Sequence, residues 1–180
     1  MRGRSFSTKE NFVQRGKTAG CIANSAYISR SAAIDERTGK RVDYSPEAQR
    51  AAALVPAVAQ TKDFDLRLPA EPKDDLGYTE VLLPEGAPEP FRDWRTLWNA
   101  RAAFEDRWAD NHYRNTPRNA QKHKLDKAKL AFSGTISLPR EFGIDECVNA
   151  ARRILDEKFV KQGMAVQYAV HVKDGQPHLH

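Results

Sequence analysis

The last ten residues, His171-Val172-Lys173-Asp174-Gly175-Gln176-Pro177-His178-Leu179-His180, restrict the fold more tightly than any other stretch. Asp174-Gly175 is a strong hairpin signal, because a two-residue type I′ loop needs positive φ at both central positions. Glycine adopts that freely, and Asp tolerates it better than most side chains. Residues 165–172 lead into the turn in alternation, with Val166, Tyr168, Val170 and Val172 on one face and Ala165, Gln167, Ala169 and His171 on the other. This is the pattern of a half-buried strand. A loop at 174–175 pairs Lys173 with Gln176, Val172 with Pro177 and His171 with His178. It leaves His180 on the same face, diagonal to His171. Directly opposed Cβ atoms lie only about 5 Å apart, so the hairpin gathers three of the five histidines around one point.

Three neutral imidazoles around a point form a cation site with an open position, and a divalent metal is its ordinary occupant. The plainer alternative is a surface hairpin that happens to contain histidine. His112 and His123 do not stand at metal-ligand spacing from each other.

A chain of 180 residues can bury a full core as one domain, and 40% hydrophobic with 29% charged residues is ordinary for a soluble globular protein. No stretch reads as a membrane span. The basic start, Met1-Arg2-Gly3-Arg4-Ser5, is followed by no apolar run and so reads as no secretory signal, which makes the cytoplasm the expected location. Cys21 and Cys147 lie far apart on helical patterns and read as small buried residues.

The net charge of +5 is unevenly spread. Residues 1–50 hold ten Lys/Arg against five Asp/Glu, and residues 114–130 hold six against Asp126 alone, whereas residues 61–91 hold three against eight. Basic segments flanking an acidic one suit a face that binds a polyanion. Arg30, Lys122, Lys124, Lys127 and Lys129 are the expected contacts on such a face.

In chain order, Ala19, Ile22, Ala23, Ala26 and Ala33 predict a close-packing helix over residues 18–33, with Tyr27 at the edge of its apolar stripe beside Ser29 and Arg30. Residues 35–45 read as a charged loop around Gly39. Ser45-Pro46 reads as an N-cap with Pro at the first helical position, opening a helix from 46 to about 60. The segment at about 61–92 is Pro-rich, acidic and irregular, with a short strand at Tyr78–Leu83. Asp93 caps a long helix on which Trp94, Leu97, Arg101, Phe104 and Trp108 share a face, read as core. A basic helix follows, ending near Ala131. The alternation of Phe132, Gly134, Ile136 and Leu138 against Ser133, Thr135 and Ser137 then predicts a strand. Ile144, Val148, Ala151, Leu155 and Phe159 stripe the last helix, before Gly163.

Four stretches in this order resemble the MobA/MobL family of plasmid relaxases. They are Ala26-Tyr27-Ile28-Ser29-Arg30; Glu80-Val81-Leu82-Leu83-Pro84-Glu85-Gly86-Ala87-Pro88 with Leu97-Trp98-Asn99; Ser137-Leu138-Pro139-Arg140-Glu141; and Pro177-His178-Leu179-His180 with His171 upstream. The resemblance implies an α+β fold, an antiparallel sheet with helices packed on it, forming a single nicking domain over 1–180. It implies site- and strand-specific nicking of single-stranded DNA at a transfer origin through a covalent 5′-phosphotyrosine. Tyr27 would be the nucleophile, and a divalent ion, Mg or Mn, would be held by His171, His178 and His180. Accessory relaxosome proteins and a coupling protein are the implied partners. An acid on the central strand is wanting here, since Ser133 and Thr135 occupy its polar face, and a strand would normally continue past His180. The chain is therefore expected to lack the C-terminal part of its domain.

Two other classes fit the same residues. One is a metal-binding DNA-binding module without catalysis. The other is a metal-dependent hydrolase that uses water and leaves free 5′ ends.

Overall fold

A computed structural model describes residues 8–14, 20–53, 74–117 and 129–180. Along the chain run β1 (Thr8–Gln14), α1 (Gly20–Ile28), β2 (Ala32–Asp35), β3 (Lys40–Asp43), α2 (Pro46–Ala53) and β4 (Leu76–Leu82). They are followed by α3 (Trp94–His112), β5 (Lys129–Ser137), α4 (Ile144–Lys158), β6 (Val166–Lys173) and β7 (Gln176–Leu179). Five strands form one antiparallel sheet in the order β1-β5-β7-β6-β4, and β2 pairs with β3 in a separate ribbon. The fold is α+β, as the sequence pattern and the resemblance imply. Among the described residues no helix is long and apolar enough to cross a membrane.

The C-terminal hairpin has the register its turn dictates: Lys173 faces Gln176, Val172 faces Pro177 and His171 faces His178. Asp174 and Gly175 have φ of 52° and 70°, the two positive values a type I′ turn needs. Because side chains alternate, this register sends Tyr168, Val170 and Leu179 to one face, where α4 covers them with Cys147, Val148, Ala151 and Leu155. Val170, Leu179, Val148 and Leu155 are each at most 7% exposed, and burial of side chains this size stabilises by roughly 1.5–3 kcal/mol apiece. The histidines are left on the opposite face, toward α1 and α3. There Val13, Cys21, Ile22, Ala26, Val81, Trp94, Leu97, Ala102 and Leu130 form a second core cluster. Small residues at Cys21, Ala26 and Ala102 let α1 and α3 approach closely, and the Cys21 thiol donates to the Trp98 carbonyl at 3.7 Å.

The first helix is shorter than its alanine pattern suggests. It ends at Ile28 because Arg30 takes a left-handed φ of 46°. Ser31 N–H then donates to the Ala26 carbonyl at 3.0 Å and Arg30 N–H to that of Tyr27 at 3.3 Å, which together make a Schellman cap. Ala33 is thereby placed in β2, and the expected charged loop at 35–45 is a ribbon turning at Gly39, φ 68°. Glycine is the usual residue at a left-handed cap. Arg30→Gly should therefore be more stable than Arg30→Ala, by about 1 kcal/mol in chemical denaturation. Equal stabilities would show that the cap carries no strain.

Three further differences have a common cause, in that tertiary pairing overrides local pattern. Lys129, Leu130 and Ala131 belong to β5 and not to a helix, because β1, whose sequence shows no alternation, pairs along them through a bulge at Val13/Gln14. The short strand expected at Tyr78–Leu83 is found as β4, which begins two residues earlier, at Leu76, as the edge strand on β6. Of the aromatic face on α3, Trp94 and Leu97 are buried, but Phe104 and Trp108 are 55% and 43% exposed. Lys122, Lys124 and Lys127 lie outside the described residues.

Candidate active site

The sheet presents two polar rungs beneath the end of α1. In one, Ser137 of β5 faces His178 of β7, which faces His171 of β6. In the next, Ala169 of β6 exchanges both backbone hydrogen bonds with His180, at 2.9 and 2.8 Å. Ala169 offers only a methyl group, which leaves room for the His171 and His180 rings to meet at 4.6 Å between centroids. The three histidines thus share one face, as the hairpin register demands.

Their ring nitrogens are differently engaged. His178 Nδ1 lies 3.4 Å from the Ser137 hydroxyl and His180 Nδ1 lies 3.3 Å from that of Thr135. Hydroxyl partners at Nδ1 orient an imidazole and leave Nε2 for a ligand, an arrangement that suits a metal-binding histidine. His171 is only 2% exposed; its Nε2–H donates to the Ile28 carbonyl at 2.5 Å and its Nδ1 accepts from Arg30 Nη2 at 3.2 Å. The chemistry of the donor set fits a divalent ion at His178 and His180 as they stand. At His171 it fits only once Nε2 leaves Ile28. Among the described residues no three His, Cys, Asp or Glu side chains already stand in ligating geometry.

Burial pushes the His180 imidazole down to about 4 from 6.5, helped by repulsion from His171, Arg30 and His178. A base depressed in the folded state is protonated first in the unfolded chain, so stability should rise with pH from about 4 to 6.5 and fall on acidification through that window. Denaturation at several pH values with chelator present should show this slope reduced in His180→Gln. An unchanged slope would place its origin elsewhere.

Arg30 joins Tyr27 to the histidines. Its guanidinium carbon lies 4.5 Å from the centroid of the Tyr27 ring, Nη1 donates to the Tyr27 carbonyl at 2.5 Å, and Nη2 reaches His171. Nε and Nη2 grip Asp75 in two bonds, at 2.8 and 3.1 Å. The side chains of Arg30 and Asp75 are 4% and 17% exposed, so Arg30, read in sequence as a phosphate contact, has its guanidinium turned inward. Burial works to raise the pKa of Asp75, but Arg30 holds the carboxyl below its ordinary value. Its Oδ1 also lies 3.9 Å from His171 Nδ1. Asp75 is the acid near the histidines that sequence reasoning missed. It does not lie on the central strand, and its one signal is the pair Asp74-Asp75 immediately before β4, whose edge pairs with β6.

A second polar network fastens the same corner. Trp98 Nε1 donates to Gln167 Oε1 at 2.5 Å and Gln167 Nε2 donates to the Ser29 hydroxyl at 2.8 Å, while Thr79 Oγ1 donates to the Tyr168 carbonyl at 3.0 Å. Tyr44 meets the Tyr27 ring edge-on at 5.6 Å. Glu80, the acid within the strand motif, is on the other face; there it accepts from Tyr168 at 2.6 Å and from Arg152 at 2.8 and 3.0 Å. Lys129 is exposed at the start of β5.

Residues 70–180, which carry β4, all three histidines and Asp75, match the MobA/MobL family. The chain belongs to that family. It is 30% identical over 171 residues to a probable mobilization protein MobA of Bifidobacterium longum (strain NCC 2705), covering 93% of this chain and 22% of the relative. It is 25% identical over 174 residues to a conjugal transfer protein TraA of Agrobacterium fabrum (strain C58 / ATCC 33970), covering 94% of this chain and 12% of the relative. The chain therefore spans about a fifth or less of the curated relatives it matches. A solved structure described as "Molecular Basis of Vancomycin Resistance Transfer in Staphylococcus aureus" has the same fold, with a TM-score of 0.66 and 21% identity over 98% of this chain and 68% of that one.

Proposed function

We propose that this MobA/MobL chain nicks one DNA strand at a plasmid transfer origin and keeps the cut 5′ end as a phosphotyrosine on Tyr27. The observation that carries the reading is Arg30, whose guanidinium touches both Tyr27 and His171 and so ties the two stretches, 141 residues apart between Arg30 and His171, into one site. Family membership and the mobilization and conjugal-transfer relatives support the substrate class.

In this reading the Tyr27 oxygen bonds to the scissile phosphorus as the bond to the 3′ oxygen breaks; the phenol gives up its proton and the departing 3′ oxygen gains one. His171, His178 and His180 would hold a divalent ion, Mg or Mn, which supplies a positive charge for the phosphate oxygens. Asp75 is suited to orienting Arg30 and His171 and not to accepting the phenolic proton, because Arg30 already stabilises its anion. Lys122, Lys124, Lys127 and Lys129 are the proposed backbone contacts. Single-stranded origin DNA, accessory relaxosome proteins and a coupling protein are the partners, with the cytoplasm as location.

The test is single-stranded origin DNA, labelled and incubated with the chain and Mg or Mn, then run on a denaturing gel. A protein-linked product is expected. Cleavage with free 5′ ends would favour a water-using hydrolase, and binding without cleavage would favour a non-catalytic module.

A further inference from the structure

We propose that the aromatic rings at the C-terminal end of α3 form a second DNA contact, a platform on which bases of single-stranded DNA stack outside the histidine cluster. The inference rests on the proposed function only in taking single-stranded DNA as the ligand.

Phe104, Trp108 and His112 recur at four-residue spacing and so project from one side of α3, while Ala102 and Ala109, 0% and 2% exposed, bury its other side. The Trp108 and His112 rings are nearly parallel, at 13° with centroids 4.5 Å apart. Tyr113 stands edge-on to both, at 5.8 Å and 89° from Trp108 and at 4.8 Å and 84° from His112. The fold thus leaves a flat stack, walled on one side, at the surface. A half-exposed Trp and Phe forgo much of the stabilisation that burial would give them, and the core cluster under α3 includes neither ring.

The charges around the stack choose the occupant. Glu105 is paired with Arg101 at 2.6 Å and Asp106 with Arg37 at 3.5 Å, so these two acids are neutralised within the protein. Arg107, Asp110 and Arg114, which neighbour the rings in sequence, are exposed, two cations against one anion, and Arg114 Nη2 donates to Asn111 Oδ1 at 3.2 Å. A ligand with planar π faces and a repeating negative charge satisfies both features, and an unpaired DNA strand has both at every nucleotide. A duplex has its base faces already stacked and offers only the charge.

Binding of fluorescein-labelled oligothymidylate to the full chain, read by anisotropy, tests the platform without the cleavage reaction. Trp108→Ala should weaken binding roughly 5- to 100-fold, the range set by loss of one stacked base. Trp108→Phe should recover much of the loss, and Phe132→Ala, which removes an exposed ring on the α4 face, should change nothing. Stacking releases no counterions, so Trp108→Ala should leave the slope of log affinity against log salt intact while Arg107→Ala lowers it by about one. Circular dichroism of each variant separates misfolding from lost contact, and His112→Ala provides a second probe should Trp108→Ala fail to fold. Wild-type affinity in both alanine variants, equal competition by duplex DNA, or dimerisation abolished by Trp108→Ala would each overturn the proposal, the last by making the patch an interface between copies. Because oligothymidylate carries no origin sequence, a missing tyrosine adduct would sink the proposed function and leave this result standing.

Discussion

The Tyr27→Phe variant is expected to form no covalent protein–DNA product under conditions where the unaltered chain does. The substitution removes one oxygen and keeps the ring, so the stacking of Arg30 over that ring and the edge contact from Tyr44 both survive. Stability should therefore fall by no more than about 1 kcal/mol, the net worth of one hydroxyl hydrogen bond. Affinity for uncut strand should be nearly unchanged, because an attacking oxygen contributes to the transition state and not to holding the ground state. Loss of the adduct with intact binding is the outcome that only a nucleophile gives. Tyr44 is the nearest alternative, and an adduct that persists in Tyr27→Phe but vanishes in Tyr44→Phe would move the role there. The Tyr78 and Tyr168 rings lie 6.1 Å apart with a tilt of 37° between them, and the Tyr168 hydroxyl donates to Glu80. They lie on the α4 side of the sheet and serve as controls.

The histidine face was legible because hairpin register is a local matter. A two-residue turn with a glycine fixes pairing by arithmetic, and one residue of slip between β6 and β7 would have put His171 on the opposite face from His178 and His180. The last helix was legible for a similar reason, since its stripe matches the buried residues Val148, Ala151 and Leu155. What could not be read were pairings between remote stretches. β1 shows no alternation and exists because β5 offers it an edge. Asp75 sits in an acidic run that looks like solvated loop, and only the pairing of β4 on β6 brings it to His171. Arg30 misled in the opposite sense. A basic residue three positions after Tyr27 reads as a phosphate contact, yet its left-handed backbone directs the guanidinium inward, where Asp75 receives it. The aromatic stripe on α3 followed helical periodicity correctly, but periodicity does not say where the supporting sheet stops.

The ion pair of Arg30 and Asp75 should prove the most costly feature of the site to break, and a double-mutant cycle will show whether it acts as a unit. Arg30→Ala leaves the Asp75 carboxylate, 17% exposed, without its two donors, and leaves His171 Nδ1 without Arg30. Asp75→Asn keeps the shape and removes the charge, stranding a guanidinium that is 4% exposed. Fully buried pairs lose about 3–5 kcal/mol when one partner is removed; the partial exposure of Asp75 argues for roughly 2–4 kcal/mol in each single variant. The double variant Arg30→Ala/Asp75→Ala strands neither charge, so it should be less destabilised than the sum of Arg30→Ala and Asp75→Ala by at least about 1 kcal/mol. Adduct formation should fall in both single variants more steeply than stability alone explains, because Arg30 also sets the ring of Tyr27 and the tautomer of His171. Restoring stability by lowering the temperature should therefore not restore the reaction. Strict additivity in the cycle, or adduct yield that recovers with folding, would reduce Arg30 to an ordinary structural cation.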